Sequence, residues 1–209
     1  LPFKHGIPVI SSTRRPRRDR TTREDILNAA TQEFLVNGYR KTSITEIVKK
    51  VGGSTRNIYD YFTDKHGLLL AVLEHHSSGM VQRFIGIDPS NRSIQDFLHS
   101  FARGYLNAIL DPQSMGFYRL TISESVRMPE LPRIIMRSAQ QVVVGRISRY
   151  FDTQIEQGVM APCDTMATAE MFIALIRDKM LMRAALDPAR KTSEDEMNQF
   201  IAGAVALFL

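Results

Sequence analysis

The sequence predicts an all-α protein of roughly nine or ten helices, on three observations. From Thr22 onward, apolar residues recur at the spacing of one helical face, segment after segment. No sustained period-2 run bounded by strand-like turns occurs. The breaks between segments carry helix-starting and helix-stopping residues.

Thr22 and Asp25 make a capping-box-like start for a first helix, with Ile26, Leu27, Ala30 and Phe34 on one face and Gly38 placed to stop it. Ser43-Ile44-Thr45-Glu46 is a full capping box, opening a short helix with Ile44, Ile47, Val48 and Val51. Gly52-Gly53 reads as a turn. Ser54 is expected to cap a third helix with Ile58, Tyr59 and Phe62, and Asp64 a fourth with Leu68, Leu69, Val72 and Leu73. After the break at 86–90, helices are expected over about 94–110, 114–127, 131–157 and 166–186. A last one starts near Thr192 or Ser193, with Glu194, Asp195 and Glu196 suiting its N-terminus.

The totals bound the function classes. The chain has 209 residues, 44% hydrophobic and 23% charged, an ordinary globular composition rather than a disordered, collagen-like or disulfide-stapled one. The lone Cys163 cannot form an internal disulfide. No apolar run reaches the ~18 residues that would span a bilayer. The opening residues carry Lys4 and His5 and lack the long apolar core of a signal peptide, so a cytoplasmic protein without a membrane partner is expected. Residues 1–66 hold 13 Lys and Arg against 7 Asp and Glu, net +6; residues 67–209 hold 14 against 15, net −1. A basic segment beside a near-neutral one suggests a polyanion-binding module joined to something else. Residues 1–20, interrupted by Pro2, Gly6, Pro8 and Pro16, are expected to be a flexible basic arm, with a dense run of Arg14, Arg15, Arg17, Arg18 and Arg20.

Residues 43–62 place two short helices around a Gly-containing turn, the arrangement of a helix-turn-helix. The run Ile26-Leu27-x-Ala29-Ala30-x-x-x-Phe34-x-x-x-Gly38-Tyr39-x-x-Thr42-Ser43-x-x-x-Ile47 resembles the N-terminal domain of the tetracycline-repressor (TetR) family. So does Gly52-x-Ser54-x-x-x-Ile58-Tyr59-x-Tyr61-Phe62-x-x-Lys65-x-x-Leu68-Leu69. The resemblance implies a three-helix DNA-binding domain over 21–66 and a larger helical ligand-binding and dimerisation domain over 67–209. It implies a homodimeric repressor on a palindromic double-stranded DNA operator, released by a small apolar or amphipathic inducer. Arg119-Leu120-x-Ile122-Ser123-Glu124-Ser125-x-Arg127-x-Pro129-Glu130-Leu131 is similar to one subgroup of the family's C-terminal domains, many of which regulate efflux or detoxification genes.

The chemistry of the matched positions agrees. The hydroxyls of Thr42 and Tyr59 and the ammonium of Lys65 are candidates to donate to phosphate oxygens, which sets register without reading sequence. Thr55, Arg56 and Asn57, at the start of the third helix, carry base-reading chemistry: Arg for guanine, Asn for adenine, Thr for a bond or a thymine methyl. Ser54 and Tyr61 complete the candidate DNA-binding set. The chain departs from the common family pattern at Val51, Gly53, Arg56 and Asn57. Gly53 is expected to loosen the turn, and Arg56 to replace close backbone approach with a long side-chain contact. The arm arginines are candidates for a minor groove, where negative potential favours Arg; a merely solubilising tail is the alternative.

Family resemblance assigns dimerisation to about 136–157 and 166–186. The second stretch carries more apolar residues than one buried face needs. A ligand pocket is implied in the middle helices, with Phe101, Tyr105, Phe117, Tyr118, Met128 and Phe172 as apolar wall and Arg103, Glu124 or Arg127 as polar anchors. No Gly-rich phosphate loop, H-E-x-x-H or paired-Cys motif occurs, so neither an enzyme, a cofactor nor a metal site is expected. Glu74-His75-His76 reads as a surface pair, because adjacent helical residues point about 100° apart. Three other functions fit less of the sequence: a ligand-independent DNA-binding activator or nucleoid-type protein, an all-α enzyme using the central cavity, and a basic protein docking on anionic membranes through its arm.

Overall fold

A computed structural model describes residues 21–85, 93–135 and 141–209. Within them the chain forms ten helices and no strand. They are α1 (Arg23–Lys41), α2 (Ile44–Val51), α3 (Thr55–Phe62), α4 (Lys65–Ile85), α5 (Ile94–Ile109), α6 (Pro112–Glu124), α7 (Glu130–Ile135), α8 (Gln141–Glu156), α9 (Thr165–Leu186) and α10 (Glu194–Phe208).

Local chemistry accounts for most helix starts. Thr22–Asp25 and Ser43–Glu46 are reciprocal capping boxes on α1 and α2. The Asp64 carboxylate accepts from the Gly67 amide at 2.7 Å and opens α4. Ser93, Asp111, Asp164 and Ser193 cap α5, α6, α9 and α10 in the same way. At Gly38 the backbone turns to φ 77°, ψ 156°, breaking the regular helix, so that Tyr39–Lys41 form a final displaced turn.

Three expectations need adjusting. Ser54 precedes α3, but its hydroxyl makes no cap bond and donates to Asn57 Oδ1 at 3.2 Å instead. The sixth helix runs 112–124 rather than 114–127, because Asp111 with Pro112 at the first helical position starts it early and Arg127 and Met128 turn back onto the Glu124 carbonyl. The helix expected over 131–157 is described as α7 and α8, with residues 136–140 outside the described residues.

Two hydrophobic cores organise the described residues. The first joins α5, α8, α9 and α10 around Phe97, Phe101, Phe151, Phe172 and Ile176. The second belongs to α1–α4, with Ile26, Phe34, Ile47, Ile58, Phe62, Leu68 and Leu69. It also takes Phe117 and Leu120 of α6, Met128 of the following turn and Leu131 of α7. The N-terminal helices therefore share one apolar interior with α6 and α7. Burial of large apolar side chains, worth roughly 1.5–3 kcal/mol each, holds the two parts together.

Candidate nucleic-acid interface

The core fixes α3 by one face only. Ile58 and Phe62 are buried, leaving Thr55, Arg56, Tyr59 and Tyr61 in solvent and Asn57 half-buried. Tyr59 and Tyr61 are 49% and 46% exposed, so neither is a core aromatic. The Arg23 guanidinium lies 5.3 Å from the Phe62 ring centroid, over the inner face of the same helix.

The brace behind α3 is polar as well as apolar. Glu33, only 5% exposed, is met by Lys50 Nζ at 2.6 Å and by the Asn37 amide at 2.7 Å. Bonds from Lys50 and then Asn37 hold its carboxyl below the ordinary carboxylate value. The link ties the last turn of α2 to α1. The sequence held a signal for it: Glu33 lies on the apolar stripe of Ile26, Ala30 and Phe34, where a charge needs a partner.

Thr42 corrects the sequence reading. It is buried, and its hydroxyl faces inward, 3.1 Å from the Glu33 carbonyl and 2.9 Å from that of Gly38. Its role in the fold is to hold the turn between α1 and α2, not to offer a hydroxyl to a phosphate. Lys65 starts α4 as expected. It is half-buried, with Nζ 4.4 Å from the Tyr39 ring centroid and donating to the Arg40 carbonyl at 3.4 Å. Burial lowers its pKa from the ordinary lysine value, and the charges of Glu124 and Glu46 partly restore it.

The α2–α3 turn explains Gly53. Gly52 and Gly53 take φ 71° and 96°, which favour glycine. A Cβ on Gly53 would stand 3.0 Å from Thr21 Oγ1 and 3.4 Å from Asn57 Nδ2. Instead of loosening the turn, the missing side chain leaves room for Thr21, whose hydroxyl donates to the Gly52 carbonyl at 3.1 Å. Sequence reasoning missed Thr21, because its partner lies 31 residues away. The arm arginines lie outside the described residues.

The residues expected to form a ligand pocket do not converge. Phe101, Tyr105 and Phe172 pack in the first core, with Phe101 6.2 Å from Tyr105 and 6.5 Å from Phe172 between ring centroids. Phe117 and Met128 belong to the second core. Tyr118 is half-buried, and Arg127 is exposed and does not face the interior. Glu124 is buried on α6, and its field reaches Lys65 and Tyr39 of the N-terminal part. Arg103 lies at an open cleft of about 520 Å³ between α5 and α10, with His99, Ser100, Asn198 and Ile201. There it pairs with Glu194 at 3.3 Å and donates to Asn198.

Further polar links join α4 to the helices behind it. His66 Nε2 lies 2.9 Å from Glu130 of α7. His76 is not a surface residue: it is half-buried, 3.1 Å from Ser114 Oγ, with its ring 4.7 Å from that of Phe117. Among the described residues, no three or more His, Cys, Asp or Glu are grouped to hold a metal ion, and no helix is long and apolar enough to cross a membrane.

On α9 the buried stripe is Ala169, Phe172, Ile173, Ile176 and Met180. Large apolar side chains also reach solvent between the exposed charges of Glu170, Asp178 and Lys179: Met166, Met171, Met182 and Leu186 are 47%, 69%, 60% and 77% exposed. On α8, Val142 is 43% exposed.

Two family models match separate stretches of the chain. Residues 26–72 match the family model for bacterial regulatory proteins of the tetR family, and residues 96–209 match the C-terminal domain of AefR-like transcriptional repressors. The HTH-type transcriptional regulator YvkB of Bacillus subtilis (strain 168), itself uncharacterized, is 42% identical over 59 residues; the match spans 28% of this chain and 31% of that relative's length. A solved structure described as a TetR-family transcriptional regulator of Mesorhizobium loti MAFF303099 superposes with a TM-score of 0.82 at 23% identity, covering 88% of this chain and 93% of the other. The flavonoid-responsive regulator FrrA gives 0.74 at 25% identity, with 88% and 93% covered. FadR of Bacillus subtilis, solved in complex with stearoyl-CoA, gives 0.67 at 15% identity, with 90% and 97% covered.

Proposed function

The chain belongs to the TetR family of DNA-binding transcriptional regulators, and from that premise we propose that it is a ligand-responsive homodimeric repressor. The observation that carries this reading is the reading helix, anchored by Ile58 and Phe62 with Thr55 and Arg56 standing free in solvent. Arg56 pairs with guanine, Asn57 with adenine, and Thr55 with a base edge or thymine methyl. Tyr59 and Tyr61, with Ser54 and Lys65, grip phosphates on either side. Thr42 serves through the brace it builds.

One such head covers one half-site, so two copies are needed about one DNA turn (roughly 34–36 Å) or a multiple apart. The exposed Met166, Met171, Met182 and Leu186 of α9, with Val142 of α8, support pairing of these two helices with their copies across a two-fold axis. The pairing buries them as the core of a four-helix contact.

Induction is a shift between two arrangements of the dimer, driven by a ligand that binds one of them better. The shared core supports a route: Phe117, Leu120, Met128 and Leu131 are packed against the helices that carry the head. A small apolar or amphipathic ligand that displaces α6 moves these contacts, and with them the heads. The flavonoid of FrrA and the acyl chain of FadR are of that chemical kind. Regulation of efflux or detoxification genes suits such a ligand.

The test is a mobility-shift and anisotropy titration of the chain on its own upstream DNA, with and without flavonoids and long-chain acyl thioesters. A salt-sensitive specific complex with dimer stoichiometry, weakened by one ligand class, is expected. Failure to form any sequence-specific complex would sink the proposal.

A further inference from the structure

Resting on the DNA-binding reading above, we propose that Thr21 and Gly53 are positioning residues for Asn57: they fix which way its carboxamide faces, and so make adenine its base. Thr21 immediately precedes Thr22, whose capping box with Asp25 sets the course of the chain at the start of α1. The Thr21 hydroxyl donates its one proton to the Gly52 carbonyl at 3.1 Å. Only lone pairs then remain on Oγ1. Gly52 and Gly53, at φ 71° and 96°, lead the chain from α2 past Thr21 to Ser54. A Cβ on Gly53 would stand 3.0 Å from Thr21 Oγ1 and 3.4 Å from Asn57 Nδ2. The two polar atoms thus flank the one place where a side chain is missing.

The other side of the carboxamide meets Ser54. Ser54 stands where α3 would be capped, yet its hydroxyl makes no cap bond and donates to Asn57 Oδ1 at 3.2 Å. Half-buried Asn57 is therefore set between lone pairs on its nitrogen side and a proton on its oxygen side. Turning the amide over would swing Oδ1 towards the Thr21 lone pairs and give up the Ser54 proton. One lone pair of Oδ1 and the N–H bonds of Nδ2 stay available to a base. An amide held this way offers an acceptor and a donor in fixed order. In the major groove adenine presents a donor at N6 beside an acceptor at N7, whereas guanine presents acceptors at both O6 and N7. The fixed order matches adenine and sets Oδ1 against O6 of guanine. An amide free to turn over can give N–H to guanine instead. Gly53 and Asn57 are two of the positions where the chain departs from the common family pattern, and this corner joins them. A side chain at position 53 would press on both Nδ2 and Thr21.

The experiment selects an operator from a random pool with the full chain. It then measures the affinity of the full chain, Asn57→Ala, Arg56→Ala, Thr21→Val, Thr21→Ser and Gly53→Ala for that operator with each of the four bases at each position. The position where Asn57→Ala abolishes preference is the one Asn57 reads. There the unaltered chain is expected to favour adenine over guanine by roughly five- to a hundredfold, the range of a bidentate pair. Thr21→Val keeps the side-chain shape without the hydroxyl. It should lose most of that ratio, while the preference at the position assigned by Arg56→Ala stays. Thr21→Ser keeps the hydroxyl and the ratio. Gly53→Ala crowds both atoms and loses the ratio; the two Thr21 variants decide the question whether or not this one folds. A full adenine ratio in Thr21→Val overturns the inference. So does a loss shared by Thr21→Ser, or equal relaxation at the Arg56 position, which would mark a general distortion of the head. If Asn57→Ala changes no position while Arg56→Ala changes one, Asn57 reads no base, and the inference falls with the head's role intact. Absence of any specific complex from the unaltered chain brings down both readings.

Discussion

Changing Thr42 to valine distinguishes an internal hydroxyl from a DNA contact in one substitution. Valine keeps the shape and replaces Oγ1 with a methyl group. Thr42 is 2% exposed, so the change creates no new surface and no cavity. What is lost is a donor facing the carbonyls of Glu33 and Gly38 at 3.1 and 2.9 Å. The Gly38 carbonyl keeps the Thr42 amide at 3.3 Å, so neither full desolvation nor a bare carbonyl results there. The net loss is that of one hydrogen bond, about 0.5–1.5 kcal/mol. For a chain of this length each kcal/mol moves the melting temperature by about 2–4 °C, so the variant melts roughly 1–6 °C lower. Thermal unfolding followed by circular dichroism reads that shift, and anisotropy on the selected operator reads DNA affinity below the transition. The expected result is reduced stability with affinity preserved. An unchanged melting temperature together with weakened, less salt-dependent DNA binding would refute the reasoning.

Other predictions concern the reading helix, the brace and the dimer. Arg56→Ala should cost about 1–3 kcal/mol of discrimination between the operator and a version altered at the contacted base, with little change on random DNA. Glu33 has a depressed carboxyl, so its contribution is full above the ordinary carboxylate value and is lost as pH falls through the lowered one. Glu33→Gln should therefore flatten the acid limb of a stability–pH profile taken between about pH 5 and pH 3. Met171→Glu places a charge on a side chain that is 69% exposed in the single chain but buried in the proposed dimer. Sedimentation should show the variant as a folded monomer with lost operator affinity, whereas a dimer indifferent to the change would move the interface elsewhere.

Features encoded within a few residues were legible. The capping boxes at Thr22–Asp25 and Ser43–Glu46 formed as read, because each needs only a hydroxyl and a carboxylate three positions apart. The apolar stripe of α3 separated Ile58 and Phe62 from the exposed Thr55 and Arg56, because helical periodicity alone assigns sides. Legibility failed where a choice depends on distant chain. A threonine carries no mark of whether its hydroxyl turns to solvent or to a carbonyl nine residues back, as that of Thr42 does. Gly53 could be recognised as unusual, but the reason stands at Thr21. The aromatic residues of the C-terminal part announced burial without saying in which core. Phe101 and Phe117 look alike in sequence yet serve different interiors.

That division has a consequence for how such regulators can be cut and recombined. A piece ending at Ile85 would keep Thr55, Arg56 and Asn57, the side chains proposed to read bases, but strip Phe117, Leu120, Met128 and Leu131 from the interior they complete. Grafting this head onto a relative's effector half would preserve operator choice only if those four positions travelled with it or were matched in bulk. The seam for exchange runs through α6 and α7, not through the first turn of α4, where the chain changes charge.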